Sequence, residues 1–282
     1  MWLADQWNDY ECIDTASGEK LERWGDIFLL RPDPQVIWQT PASVDGWNSV
    51  HGHYFRSRTG GGQWKFYKKI PEVWSVSYRN LTFRIKPMNF KHTGLFPEQA
   101  VNWDWMMEKL CHRPHAKVLN LFAYTGGATV ACASAGADVV HVDASKGMVS
   151  WAKENLHASG LGNAFVRFIV DDCLKFVERE IRRGHKYDAI IMDPPSYGRG
   201  PGGEVWKIEQ NLYPFLQKCA ELLSNDALFL LVNSYTTGLS PVVMKNTLEL
   251  LLGGTVSSDE IGLPISRSGM ILPCGSTARW ER

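Results

Sequence analysis

The stretch "LNLFAYTGGATV", Leu119 to Val130, decides how the rest of the chain is read. A short apolar run from Val118 gives way to Tyr124 and Thr125, two glycines follow, and the next positions are small: Ala128, Thr129, Ala131, Ala133 and Ala135. The order is strand, turn, helix. Gly126 and Gly127 let backbone approach a ligand closely, and the small residues let the following helix lie tight against a sheet. Taken alone, the turn serves equally well as a ligand cradle or as a plain glycine turn before an alanine-rich core helix.

Downstream, four more short apolar runs alternate with helical periodicity: "DVVHV" from Asp138, "FVRFIV" from Phe165, "DAIIM" from Asp188 and "ALFLLV" from Ala227. That alternation predicts an α/β fold with a mostly parallel sheet covered by helices on both faces. Ser145 suits the N-cap of a helix burying Met148, Trp151, Ala152 and Leu156, and Asp172 that of a helix burying Leu174, Val177 and Ile181. A third helix runs through Ile208, Leu212, Phe215, Leu216, Cys219 and Leu223. A fourth begins at Ser240 and Pro241 and stops at Gly253 and Gly254. Two apolar runs around Gly269, between Glu260 and Trp280, predict an antiparallel hairpin closing the sheet edge.

Upstream the pattern differs. Residues 1–90 are rich in Trp, Tyr, Phe, Val and Ile in short runs broken by Pro, Gly, Asn and Asp, which predicts a small β-rich domain. Its strands are expected at Gly25 to Leu30, Gln63 to Lys68, Trp74 to Tyr78 and Leu81 to Ile85, with "RTGGGQW", Arg58 to Trp64, as a flexible glycine turn. A bridging segment and helix over 91–116 carry Trp103, Met106, Met107 and Leu110 at helical spacing, ended by Pro114. The α/β domain then spans 117–282.

With 282 residues and 44% hydrophobic content the chain can bury a large core, which excludes disorder and collagen-like order. No run of eighteen apolar residues and no secretory leader is visible, so a cytoplasmic protein is expected, with no membrane partner. Six scattered cysteines without CxxC pairs fit reduced thiols. His51 with His53, and His112 with His115, lack a third ligand, so no metal is expected. Formal net charge is zero, but its distribution is uneven: between His51 and His92 nine Lys and Arg residues face a single acid, Glu72. Tyr54, Phe55, Trp64, Phe66, Tyr67, Trp74, Tyr78 and Phe83 interleave with these cations. Such a surface suits RNA, although aromatics in alternating strands are as often core.

The strand ends carry the chemistry. Asp143 closes the second strand, where a carboxylate can accept hydrogen bonds from both hydroxyls of a ribose, so an adenosine cofactor is indicated. At the third strand end Asp171 or Asp172 can take the adenine amino group and Cys173 can offer its backbone N–H, while helix capping is the competing duty. The fourth end, "AIIMDPPSYGRG" from Ala189 to Gly200, discriminates best. Two prolines fix the backbone after Asp193, so that the Asp193 carboxylate and the Pro194 carbonyl can bond the edge of a flat amine or base while Tyr197 stacks on its face.

Together "LNLFAYTGG", "VDAS" and "DPPSYGRG" resemble the class I S-adenosylmethionine-dependent methyltransferases, and among them the bacterial 23S ribosomal RNA base methyltransferases, whose first motif has the form N-x-F-x-Y-T-G-G. The resemblance implies a Rossmann-like seven-stranded sheet with an antiparallel terminal hairpin. It implies S-adenosylmethionine as cofactor, held by Asn120, Phe122, Tyr124, Thr125, Gly126, Gly127, Asp143, Ala144, Asp172, Cys173 and Asp193. "KHTGLFPEQ", Lys91 to Gln99, looks like the segment that folds over the cofactor in that family, which adds Gln99. The catalytic group is then Asp193, Pro194, Pro195 and Tyr197, and the partner is RNA, ribosomal by resemblance; a homodimer is left open.

Two departures matter. Family members that methylate carbon 5 of cytosine use a cysteine near the fourth or fifth strand end, where this chain reads "DPPSY" and "VNSYTTG". The arginine expected after the glutamine of the cover segment is replaced by Ala100. Direct methyl transfer to a nitrogen is therefore expected, with Asp193 orienting the nucleophile or accepting its proton and Tyr197 holding the ring. A small-molecule or protein N-methyltransferase is the alternative, a non-catalytic RNA-binding module a third reading. A nicotinamide dehydrogenase fits less well, because the G-x-G-x-x-G spacing is missing.

Overall fold

The computed structural model describes residues 1–57, 61–199 and 205–282. Part of the "RTGGGQW" turn and the end of "DPPSYGRG" lie outside the described residues. In chain order the elements are β1 (Trp2–Leu3), β2 (Tyr10–Ala16), β3 (Glu19–Trp24), β4 (Ile27–Pro32), β5 (Gly52–Arg56), β6 (Gly62–Phe66), β7 (Trp74–Tyr78) and β8 (Leu81–Ile85). Next come a 3-10 turn (Pro97–Gln99), α1 (Ala100–Leu110), β9 (Lys117–Leu121), α2 (Gly127–Ser134), β10 (Asp138–Asp143), α3 (Lys146–Ala158), β11 (Val166–Val170) and α4 (Cys173–Arg182). Last are β12 (Ala189–Met192), β13 (Tyr197–Arg199), β14 (Val205–Lys207), α5 (Ile208–Glu221), β15 (Phe229–Ser234), α6 (Pro241–Leu252), β16 (Thr255–Pro264) and β17 (Ile271–Glu281).

Two compact units make up the chain, one of Leu3–Ala100 with Gly262–Cys274, the other of Met1–Trp2, Val101–Ile261 and Gly275–Arg282. The second is built on a sheet of order β1-β16-β17-β15-β12-β9-β10-β11. Strands β9, β10, β11, β12 and β15 pair in parallel, and β17 joins β15 antiparallel with Asn233 opposite Thr277. Apart from the two-residue β1, this is the seven-stranded arrangement anticipated from the sequence, with the terminal hairpin at the edge. The central parallel strands β12 and β15 are buried on both faces, so Ala189 to Met192 and Phe229 to Ser234 read as unbroken buried runs. Order reverses between β9 and β12, and ligands of open α/β sheets sit at such a crevice beyond the carboxyl ends of the strands.

Helix ends follow their local chemistry. Ser145 accepts from the Met148 N–H at 3.4 Å and Asp172 from the Lys175 N–H at 3.0 Å, while α6 stops at Gly253 with φ of 62°. One expected stripe is corrected: α4 buries Cys173, Phe176, Val177 and Glu180, whereas Leu174 is exposed. The helix starts at Cys173, and spacing of three, four and seven from that residue defines its inner face. The hairpin of β13 and β14 was not anticipated from the sequence.

In the first unit β2, β3 and β4 are antiparallel, β5 adds in parallel to β4, and β6 is the antiparallel edge; β7 and β8 form a separate hairpin. The aromatic residues divide between the two roles weighed for them. Tyr54, Tyr78 and Phe83 are buried, whereas Phe55, Phe66 and Tyr67 are 41%, 45% and 50% exposed. A buried ion pair crosses β3 and β4: Arg31 Nη2 lies 2.8 Å from Glu22 Oε1, which also accepts from the Tyr10 hydroxyl at 2.7 Å. No helix among the described residues is long and apolar enough to cross a membrane.

Candidate active site

The turn after β9 is wound tightly. Phe122 and Tyr124 hold φ of 53° and 50°, and Gly126 follows at 83°, so three of five consecutive residues sit in the left-handed region. Two of them carry bulky side chains there, a conformation that costs on the order of 1–3 kcal/mol each and persists where neighbours enforce it. The neighbours are visible. Tyr124 N–H donates to Asp143 Oδ2 at 2.9 Å, Asn155 Nδ2 donates to the Thr125 carbonyl at 2.8 Å, and Phe122 N–H donates to the Cys173 sulfur at 3.3 Å. The glycines serve packing as well as approach: a Cβ on Gly126 would stand 2.8 Å from the Cβ of Ala152, and one on Gly127 would stand 2.7 Å from the Trp103 ring.

Under the turn lies a polar relay. Asn120 Nδ2 donates to Thr129 Oγ1 at 2.9 Å, and the Thr129 hydroxyl is 2.9 Å from His141 Nδ1. The same hydroxyl thus bridges Asn120 and Nδ1, on the side of the imidazole away from Nε2. That Nε2 is buried with no hydrogen-bond partner among the described residues, and burial pushes the imidazole down to about 3. Neutral His141 therefore underpins the turn, and Asn120, 3% exposed, is spent on the same support.

Asp143 ends β10 beside this turn. Burial raises its pKa, and the backbone N–H groups of Ser145 and Tyr124 oppose that rise. Each oxygen takes one of those N–H groups, Oδ1 from Ser145 at 2.8 Å and Oδ2 from Tyr124 at 2.9 Å. A carboxylate offers about four acceptor positions, so two further donors such as vicinal hydroxyls fit. Ala144 is exposed between Asp143 and the Ser145 cap. At the next strand end Asp171 is ion-paired with Arg179, and Asp172 caps α4.

The fourth strand delivers Asp193 and a buried Pro194, then the exposed Pro195, Ser196 and Tyr197. Asn233 Nδ2 donates to Asp193 Oδ1 at 3.0 Å, and the Asn233 carbonyl accepts from Thr277 Oγ1 at 2.7 Å. The loop is braced further along. Ser196 Oγ is 2.6 Å from Thr236 Oγ1, and Trp206 Nε1 donates to the Pro195 carbonyl at 2.7 Å. The Trp206 ring packs 5.4 Å from Phe122, which joins the loop to the turn after β9. The turn after β9 and the ends of β10, β11 and β12 thus gather on one sheet edge, while Gln99 ends the 3-10 turn in the other unit.

A family model described as S-adenosylmethionine-dependent methyltransferase matches residues 29–247. The chain belongs to this family. Among curated relatives it is similar to the ribosomal RNA large subunit methyltransferase K/L of Shewanella frigidimarina, 34% identical over 144 residues, covering 50% of this chain and 20% of that protein. The enzyme of the same name from Syntrophotalea carbinolica is 30% identical over 182 residues, covering 64% of this chain and 25% of the relative. The chain therefore spans a quarter or less of these relatives. Among solved structures, a SAM-dependent methyltransferase from Agrobacterium tumefaciens superposes with a TM-score of 0.93 at 37% identity, covering 99% of this chain and 93% of the other. A methyltransferase complexed with SAH shares the fold at 19% identity, with a TM-score of 0.77 and coverage of 97% and 76%.

S-adenosylmethionine is accordingly the methyl donor of this methyltransferase. The donor set at the sheet edge suits it: a carboxylate with spare acceptor positions for ribose hydroxyls and, beside it, a strained glycine turn of the kind that lets main chain approach a ligand. No cluster of metal-binding side chains occurs among the described residues. Sequence reasoning missed Thr277, Asn102 and Trp206, and placed Trp103 only in the stripe of a bridging helix. Trp206 lies in an element without a periodic signature, and Asn102 contacts a residue 175 positions away. The Asn233–Asp193 contact had a signal, since both residues end neighbouring strands of the parallel sheet.

Proposed function

We propose that this methyltransferase modifies a base of RNA, ribosomal by its relatives, by direct transfer of the methyl group to a ring or exocyclic nitrogen. The observation that carries the proposal is Asp193: a carboxylate at the mouth of the cofactor edge, fixed by Asn233 and followed by two prolines and an exposed tyrosine. In this reading Asp143 bonds the ribose, Asp172 and the Cys173 N–H the adenine, and the backbone from Tyr124 to Gly127 the amino-acid portion. When bound, the donor supplies an electrophilic methyl on a sulfonium. The Asp193 carboxylate and the Pro194 carbonyl then hold the edge of the base, Pro195 keeps that carbonyl aimed, and Tyr197 stacks on the face. Asp193 takes or steers the departing proton, and the transfer gains its rate from positioning.

The cysteines support a route without a covalent enzyme intermediate. Cys173 is buried, its sulfur faces the Phe122 N–H, and burial pushes its thiol well above the ordinary range. Cys219 and Cys132 are likewise buried and raised. An attacking thiol needs the opposite environment.

A surface for RNA is at hand in the other unit. Pairing of Phe55 with Gln63 and of His53 with Lys65 sets these four side chains on one face of β5 and β6, and strand alternation continues it to Tyr67. Phe55 and Tyr67 are half exposed there, with Lys65 Nζ 5.1 Å from the Tyr67 ring centre. Exposed rings between cations fit unpaired bases on a phosphate backbone. The test is incubation of the purified protein with labelled methyl donor and total RNA from cells lacking it, followed by nucleoside mass spectrometry. A single methylated nucleoside, lost with Asp193→Ala, is expected; label entering only small molecules or protein would replace this reading with the N-methyltransferase alternative.

A further inference from the structure

We infer that a four-link hydrogen-bond chain from Arg279 through Asn102, Thr277 and Asn233 sets the orientation of the Asp193 carboxylate, so that Asn102, Thr277 and Arg279 are positioning residues for methyl transfer. The inference rests on the reading of Asp193 as the group that holds the substrate. Arg279 Nη2 donates to Asn102 Oδ1 at 2.8 Å, and Nε reaches the same oxygen at 3.3 Å. Asn102 Nδ2 donates to Thr277 Oγ1 at 3.1 Å, Thr277 donates to Asn233 Oδ1 at 2.7 Å, and Asn233 Nδ2 donates to Asp193 Oδ1 at 3.0 Å.

Direction is what gives this chain its function. A side-chain amide can turn over and exchange its oxygen for its nitrogen, and each neighbour along the chain accepts one of the two faces. A guanidinium only donates, and that fixes the first two links. Asn102 must show its oxygen to Arg279 and hence its nitrogen to Thr277. The threonine hydroxyl, which can accept twice but donate only once, donates to the oxygen that Asn233 turns away from Asp193. Asn233 is left with its NH2 toward Asp193, the one orientation a carboxylate accepts. Burial makes the chain strict: Asn102, Asn233 and Thr277 are at most 1% exposed and Arg279 is 6% exposed. Reversing one link there would strand a donor or acceptor without water.

The source is itself anchored. The Arg279 guanidinium lies 3.7 Å from the Trp2 ring centre and 4.9 Å from that of Trp105. Burial lowers its pKa to about 10, so it remains a cation at neutral pH. Thr277 faces Asn233 directly across the β15–β17 pairing, which supplies the short middle link without any loop. Arg279 lies two residues further along β17, on the same side of the strand as Thr277.

Thr277→Val and Thr277→Ser separate this role from packing, because valine keeps the shape and serine keeps the hydroxyl. On an unmodified transcript of large-subunit ribosomal RNA, Thr277→Val should lower kcat by roughly ten- to a hundredfold with KM for the donor unchanged, and Thr277→Ser should recover most of it. Calorimetric donor affinity should match in all three proteins. Independently of turnover, the Asn233 side-chain NH2 should give a resolved, slowly exchanging 15N-correlated pair in the wild type and the serine variant, and lose that protection in the valine variant. Wild-type kcat in Thr277→Val beside an inactive Asp193→Ala would overturn the chain's role and leave the reading of Asp193 intact. Full turnover in Asp193→Ala would instead overturn that reading. Failure of serine to rescue, or rapid exchange of the Asn233 NH2 in the wild type, also sinks the inference.

Discussion

Single residues at the sheet edge carry two duties at once, and their substitution separates the duties. Gly126 has φ of 83° and no room for a Cβ, which would press on Ala152 at 2.8 Å. Gly126→Ala should cost about 2–4 kcal/mol from the left-handed backbone and the overpacked contact together, read as a lower melting temperature, and should weaken donor binding by calorimetry. An unchanged melting temperature would show that α3 yields. His141 makes a prediction about pH. Its folded value of about 3 lies below the unfolded 6.5, so its neutral burial contributes fully above 6.5 and is lost as pH falls from there toward 3, by on the order of 1.4 kcal/mol per pH unit. Urea titrations from pH 7 to 4 should show that slope in the wild type and a flatter one in His141→Leu. The placement of Asp143 and Asp193 at strand ends was legible because it follows from the local run of apolar residues. His141 was not, since a histidine inside "DVVHV" carries no mark of the Thr129 hydroxyl that faces it.

At the scale of elements, Asp172 shows how a cap and a ligand group overlap. Its carboxylate holds the Lys175 N–H, and the same residue stands where an adenine edge is expected. Asparagine caps about as well as aspartate but carries no charge. Asp172→Asn should therefore keep the melting temperature while weakening the donor, and Asp172→Ala should lose both, with roughly 1 kcal/mol of stability. Equal donor affinity in wild type and Asp172→Asn would confine the residue to capping. The elements themselves were readable from period and punctuation: α6 from Ser240, Pro241 and Gly253, the parallel strands from unbroken apolar runs. Leu174 was misassigned because Leu174, Val177 and Ile181 repeat at helical spacing as well as the true inner face does, and only the packed structure chooses between two such stripes. The β13–β14 hairpin left no trace, since three-residue strands are too short to repeat the two-residue alternation that marks a strand.

For the whole molecule, zero formal net charge removes long-range attraction to a polyanion, so any affinity for RNA must come from a local band. Arg56, Lys65, Lys68 and Lys69 crowd the β5–β6 region, and Lys68 already donates to the Ser49 carbonyl at 2.6 Å. Three or four phosphate contacts by single-stranded RNA correspond to a slope of about −2 to −3 in log K against log salt. The rings add a term that salt does not screen, roughly 1–3 kcal/mol for each stacked base. Phe55→Ala with Tyr67→Ala should therefore weaken an unstructured oligonucleotide by at least about tenfold at every salt concentration without changing the slope, whereas Lys65→Ala with Lys68→Ala should flatten the slope by one to two units. Both pairs sit outside the unit that holds Asp143 and Asp193, so calorimetric donor affinity should stay at the wild-type value. If the aromatic pair left oligonucleotide affinity untouched, Phe55 and Tyr67 would be ordinary surface residues, and recognition of RNA would have to come from the loop at Asp193 to Tyr197 alone.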